Sequence, residues 1–125
     1  TLGRTDEAEA VARDVSRDAP EDDLVPQVLW RATLGRVLAR RGRLDQARPL
    51  AAEALRLTND VEFPDLRVAA LGAAADVAEA EGRRDDARRG LETARAIMAA
   101  KENVAAVAIL DAELSRRLPL LPQKE

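Results

Sequence analysis

The chain of 125 residues contains no cysteine, no histidine and no tyrosine. The absence of cysteine excludes disulfides and thiolate metal sites. The absence of histidine removes the usual proton shuttle. Serine occurs only at Ser16 and Ser115, and neither has an evident base in helical register. No phosphate-binding loop of the G-x-x-x-x-G-K type and no calcium loop is present. We therefore expect no catalytic residue, no metal and no nucleotide cofactor, and predict that this segment is not an enzyme.

Aromatic residues and long apolar runs are also scarce. Trp30 and Phe63 are the two aromatic residues, and alanine and leucine dominate the apolar set. This composition favours closely packed helices over a sheet, and both aromatic side chains are predicted to lie in the core. No run approaches the ~20 apolar residues of a membrane span, and no signal-peptide pattern opens the chain. We expect a cytoplasmic protein without membrane contact.

Charged residues are abundant, at 34% of the chain, but both signs are interspersed and the net charge is only -3. Lysine occurs only at Lys101 and Lys124, so nearly all of the positive charge is arginine. Without a basic stripe, no contact with nucleic acid is expected from this segment.

One short phrase occurs three times, opening at Gly3, Gly42 and Gly82 with Gly-Arg and an acidic residue at the fourth position. A period of 39 to 40 residues is typical of a helical repeat protein. Glycine tolerates the left-handed backbone that ends one helix, and an acidic residue suits the start of the next. The phrase therefore predicts a tight turn between two helices at each of the three positions.

Apolar residues recurring at helical spacing predict about six helices, approximately at 6–17, 26–41, 45–58, 64–81, 83–100 and 103–118. Leu29 is assigned to the buried side of the second helix, and Asn103 is expected to cap the sixth. We predict one all-α domain over 1–118, divided into a half repeat (1–23), a second repeat (24–62), a third repeat (63–102) and a C-terminal capping helix (103–118). Residues 119–125 form a tail. Because the chain opens on the turn phrase without methionine, we expect it to be a fragment of a longer protein.

The second unit places Leu34, Gly35 and Leu38 in one helix and Ala47 and Ala54 in the next. This spacing resembles the tetratricopeptide repeat, so the fold is expected to be a helical-hairpin solenoid. Together with the segments 29–31, 41–43, 59–67 and 101–104, it resembles the C-terminal repeat regions of bacterial signalling ATPases, adenylate or guanylate cyclases, and LuxR-like or activator-type transcriptional regulators. The resemblance implies a regulatory or scaffolding segment that binds a protein or peptide partner, or another domain of the same longer chain.

In such a solenoid the first helix of each pair lines the concave face. The resemblance places Arg36 and Arg40 of the second helix, Asp76 and Glu79 of the fourth and Arg116 of the sixth on that face. Arginines one turn apart could clamp a carboxylate or an acidic peptide. The alternative is that Arg36 and Arg40 simply pair with Asp76 and Glu79 as weak surface bridges.

A second hypothesis concerns the apolar stripe of the first helix, Ala8, Val11, Ala12 and Val15. An uncovered stripe of this kind favours association. It would be covered either by a helix upstream in a longer protein or by a second copy of the chain, giving a homodimer. The segment would then serve to bring catalytic or DNA-binding heads together.

Overall fold

The computed structural model describes residues 2–100 and 104–117, and within them it contains six α-helices and no strand. The helices are α1 (Leu2–Asp18), α2 (Leu24–Arg40), α3 (Leu44–Leu57), α4 (Pro64–Ala80), α5 (Arg84–Ala100) and α6 (Val104–Arg117). The predicted all-α class is confirmed. The predicted cap at Asn103 and the tail 119–125 lie outside the described residues.

The tight turns at Gly42 and Gly82 end α2 and α4. These glycines have φ of 76° and 79°. The amide of Arg43 donates to the carbonyl of Leu38 at 2.9 Å, and that of Arg83 donates to Ala78 at 2.8 Å. This pattern closes a helix on a left-handed glycine, so two of the three predicted turns are confirmed.

The predicted turn at Gly3 is wrong, because Gly3 lies inside α1. Residues 4–18 contain no proline or glycine and are rich in good helix formers such as alanine, glutamate and arginine. The helix therefore extends back through the glycine, and a Cβ at this position would meet no atom within 4 Å.

This difference between similar phrases is testable by substitution. Gly82→Ala should lower the free energy of unfolding by about 1 kcal/mol, since a left-handed backbone costs an L-residue roughly 1–2 kcal/mol. Gly3→Ala should leave stability unchanged or raise it by up to about 1 kcal/mol. Urea unfolding followed by circular dichroism measures both, and an equal loss in the two variants would contradict the assignment of Gly3 to α1.

Neighbouring helices stack in order along the chain. α2 packs against α1, α3 and α4, and α4 packs against α2, α3 and α5, whereas α6 packs against α5. Alanines fill much of the interior, and six of them are completely buried: Ala47, Ala54, Ala70, Ala73, Ala87 and Ala94. Such small side chains allow the helix axes to approach closely. The helices α2, α4 and α6 begin 40 residues apart, at positions 24, 64 and 104, and lie in equivalent places in the stack.

Three apolar residues near helix starts were predicted to be buried, with differing outcomes. Trp30 is half-buried and packs against the core cluster formed by α1 to α4. Leu29 and Phe63 are 42% and 50% exposed, so the prediction is wrong for both. Leu29 follows the buried Val28 and points about 100° away from it around α2, and Phe63 precedes the first turn of α4. In the described part of the chain, no helix combines the length and apolar character needed to span a membrane.

Candidate functional site

A cluster of opposite charges joins α2, α4 and α6 around one buried carboxylate. The side chain of Asp76 is 2% exposed. Its Oδ2 accepts from Arg36 Nε at 2.8 Å and lies 3.4 Å from Arg40 Nε, and its Oδ1 accepts from Arg117 Nη2 at 2.9 Å. Three guanidinium groups therefore share this carboxylate, which makes Asp76 the centre of the network.

Arg36 reaches Asp76 because α4 carries a glycine beside it. A Cβ at Gly72 would lie 2.8 Å from Arg36 Nη1 and 3.3 Å from its Cζ. No real side chain could occupy that space unless the guanidinium moved away. The glycine is thus a close-approach position that lets the arginine of one helix lie flat against the next.

Arg117 makes the contact between α6 and α4. Besides Asp76, it donates to Glu79 and lies 3.5 Å from Glu113. Burial alone would lower the pKa of Arg117, but its hydrogen bonds to the Glu79 and Asp76 carboxylates outweigh that effect and raise the pKa above its ordinary value. The guanidinium is therefore held in its charged form between two helices.

An open cavity of about 720 Å³ lies over this network. Its lining consists of Ala39, Arg40, Asp76, Glu79, Ala80, Arg116 and Arg117. The side chain of Arg40 is 61% exposed, and Arg116 is exposed and forms no ion pair with any residue in the described part of the chain. The cavity thus presents three guanidinium groups against two carboxylates, with two of the cations open to solvent. We call this site the arginine pocket.

The structure brings the five predicted concave-face residues together. Arg40, Asp76, Glu79 and Arg116 line the arginine pocket, and Arg36 lies behind it on Asp76. Sequence analysis did not identify Arg117, which makes more contacts there than its neighbour Arg116. Adjacent arginines in a helix carry no local signal that distinguishes the buried one, and only the rotation of α6 about its axis does so.

The predicted stripe on α1 divides between the interior and a second cavity. Ala12 is 3% exposed in the core, Ala8 and Val15 are half-buried, and Val11 is 61% exposed. The second cavity, about 310 Å³, lies between α1 and α2 and is almost wholly apolar. It is lined by Val11, Ala12, Val15, Val25, Pro26, Leu29, Trp30 and Thr33, and we call it the end groove.

Gln27 and Trp30 support one side of the end groove. Gln27 Nε2 donates to the carbonyl of Pro20 at 2.9 Å, and its Oε1 accepts from Trp30 Nε1 at 3.1 Å. The guanidinium of Arg31 lies 4.4 Å from the centre of the indole ring. These contacts satisfy the polar edge of the indole and leave its apolar body to line the groove.

Across residues 2–100 and 104–117, no group of three Asp or Glu side chains is placed to hold a metal ion. The carboxylates of the arginine pocket are instead engaged by arginine.

Comparison with known proteins agrees with the stacked helical pairs. The profile of the family described as Tetratricopeptide repeat matches residues 26–100, which cover α2 to α5 almost completely. The chain belongs to the tetratricopeptide repeat family. Repeats of this family generally mediate protein–protein interaction, and the family is a non-catalytic one. No curated protein and no solved structure matches the chain.

Proposed function

We propose that this tetratricopeptide repeat chain is a non-catalytic interaction module that binds an acidic segment of a protein partner in the arginine pocket. The observation that carries the proposal is the exposure of Arg40 and Arg116 at the rim of an open cavity of about 720 Å³. Guanidinium groups bind carboxylates through paired, charge-assisted hydrogen bonds. Asp76 would hold Arg36, Arg40 and Arg117 in place, leaving Arg116 free to contact the partner.

The setting that we propose for this module is a larger cytoplasmic bacterial protein of signalling or transcriptional regulation. The support is the resemblance of the repeat phrases to the C-terminal regions of such proteins. In that setting the acidic segment belongs to another protein or to another domain of the same chain. The module would then regulate or position a catalytic or DNA-binding part.

The pocket can be tested with a fluorescein-labelled ten-residue peptide in which aspartate and alanine alternate. We expect fluorescence anisotropy to show binding that weakens about 10-fold in the variant Arg40→Gln/Arg116→Gln, because two exposed cations are removed. Binding should also weaken as salt is added. Arg43→Gln is the matched control, since Arg43 is an exposed arginine outside the pocket.

The corresponding peptide with asparagine in place of aspartate tests the charge requirement. Equal affinity for the two peptides, or equal affinity of the wild-type chain and the double variant for the acidic peptide, would overturn the assignment of the arginine pocket.

Self-association is the second candidate function. It is favoured by the end groove, where Val11, Val25 and Leu29 expose 61%, 42% and 42% of their surface beside one another. Contiguous exposed apolar surface of this kind marks interaction sites. A homodimer or larger assembly would bring attached catalytic or DNA-binding heads together, and light scattering over a concentration series measures it.

A further inference from the structure

The end groove has a counterpart one repeat further along the chain, where α3 and α4 meet. Positions 26, 29, 30 and 33 of the groove correspond to Leu66, Ala69, Ala70 and Ala73, 40 residues later. Of these later residues, three are buried and Ala69 is half-buried. They are covered because α2 packs against both α3 and α4. In this solenoid, the groove between α3 and α4 is thus filled by the helix that precedes them, α2. The equivalent groove between α1 and α2 would be filled by a helix in the equivalent place.

The face by which α2 fills that groove is built from small residues. Val28, Ala32 and Gly35 lie on one side of the helix at helical spacing, and all three are buried. A Cβ at Gly35 would lie 3.5 Å from the Ala51 nitrogen and 3.6 Å from the Leu50 Cβ of α3. The helix that fills a groove of this kind therefore needs a face of small side chains, so that the two backbones can approach.

Such a face occurs uncovered on α6. The residues 80 positions after Val28, Ala32 and Gly35 are Ala108, Ala112 and Ser115, and all three are exposed. At the edge of this face lies Ile109, which is 80 positions after Leu29 of α2 and is 63% exposed. The uncovered face of α6 thus resembles the face of α2 that packs on α3, and we call it the α6 face.

We propose that copies of this chain associate head to tail, with the α6 face of one copy seated in the end groove of the next. This inference rests on the self-association proposed above and names the surface of the second copy that takes part. The contact continues the helix stacking of the solenoid from one copy to another. Because it joins two different surfaces, it leaves one of each free and can extend beyond a dimer.

The charges at this contact are compatible with stacking. The guanidinium of Arg116 lies on α6 at the place that Arg36 occupies on α2, and it would approach Arg36 of the next copy. That arginine is paired with Asp76 at 2.8 Å, which offsets part of its positive charge, although Asp76 also pairs with Arg40 and Arg117. Apart from Ser115 on the α6 face and Thr33 in the end groove, the remaining named residues of the two surfaces are apolar.

The test uses one blocking substitution on each surface. Leu29→Arg places a charge in the end groove. Ala112→Arg places one on the α6 face, at the position that corresponds to the buried Ala32 of α2. Both positions are exposed, so the fold should survive, and circular dichroism checks this. Val61→Arg is the matched control, because Val61 is a 36% exposed apolar residue outside both surfaces. Sedimentation equilibrium measures association up to about 1 mM chain, where millimolar dissociation constants are still detected.

We expect the wild-type chain and Val61→Arg to form a concentration-dependent series of oligomers. Each blocked variant alone should associate about 100-fold more weakly, because its charge would be buried without a partner. An equimolar mixture of the two blocked variants should form dimers and nothing larger, since one intact surface remains on each chain. In this mixture Trp30 fluorescence should shift to shorter wavelength, because Trp30 lines the end groove and is the only tryptophan.

The results that would contradict the proposal distinguish between a failure of self-association and a failure of the head-to-tail arrangement. A wild-type chain that stays monomeric at 1 mM, a concentration that detects even weak interfaces, would overturn self-association altogether. If the wild-type chain associates and Ala112→Arg associates equally well, or if the mixture stays monomeric, self-association stands and the head-to-tail arrangement is wrong. Pairing of two end grooves would give the first of these two outcomes, because the variant blocked on α6 keeps its end groove.

Discussion

Replacing Asp76 with asparagine is expected to lower the free energy of unfolding by about 3 kcal/mol, because breaking a buried ion pair leaves its partner charges uncompensated. Asparagine keeps the shape of the side chain and one acceptor oxygen, so the loss is mainly that of the charge. The side chains of Arg36 and Arg117 are only 29% and 17% exposed, so water can replace the lost carboxylate only in part. Urea unfolding measures the effect.

The matched control for this substitution is Glu79→Gln. Glu79 also accepts from Arg117, but its side chain is 38% exposed and Arg117 would keep Asp76 and Glu113. Its loss should be within the ~0–1 kcal/mol of exposed pairs. If Asp76→Asn were no more destabilising than Glu79→Gln, the network would be a set of independent surface bridges, and Asp76 would not organise the arginine pocket.

Leu38→Ala is expected to cost about 3 kcal/mol, within the ~2–5 kcal/mol typical of leucine truncation in a core. Leu38 is 1% exposed and belongs to the core cluster that joins α1 to α4. The alanines around it have no rotamers with which to refill the space, so the cavity would persist. Differential scanning calorimetry or urea unfolding measures the loss.

Leu29→Ala provides the comparison within the same helix. Leu29 is 42% exposed, so its truncation should cost less than about 1 kcal/mol. The change in helix propensity is the same at both positions, and the difference between the variants therefore reports burial alone. This comparison applies to a sample dilute enough to be monomeric, where equal losses would mean that Leu29 is covered within one copy. A loss at Leu29 that appears only at high chain concentration would mean that a second copy covers it, as in the head-to-tail contact.

Most of the helical architecture could be predicted from the sequence, because its signals are local. Glycine after a helix and apolar residues at helical spacing placed the turns at Gly42 and Gly82, and the bounds of the second to fifth helices were predicted to within two residues. The error at Gly3 has the same origin. The phrase has the same glycine, arginine and aspartate, but the turn also requires a helix that ends there, and in the described residues α1 begins at Leu2.

The side on which a helix is covered was harder to predict, since it depends on neighbours that are distant in sequence. Leu29 has the hydrophobicity of a core residue and lies on the outer side of the stack, whereas Asp76 is charged and 4% exposed. The choice between Arg116 and Arg117 as the residue that touches α4 depends on a rotation of α6 of about 100°, the angle between successive residues. No local pattern encodes that rotation.

The arginine pocket depends on α6 remaining packed against the other helices. Among the described residues, α6 packs against α5 and contacts α4 through Arg117, so it has fewer neighbours than α2 or α4. In repeat proteins the terminal helices open at a lower free energy than the central ones. A ligand that bridges Arg116 to Arg40 would bind only the closed arrangement, and by mass action it would hold α6 in place. If the pocket binds such a ligand, its occupancy and the order of α6 would be thermodynamically linked, each strengthening the other.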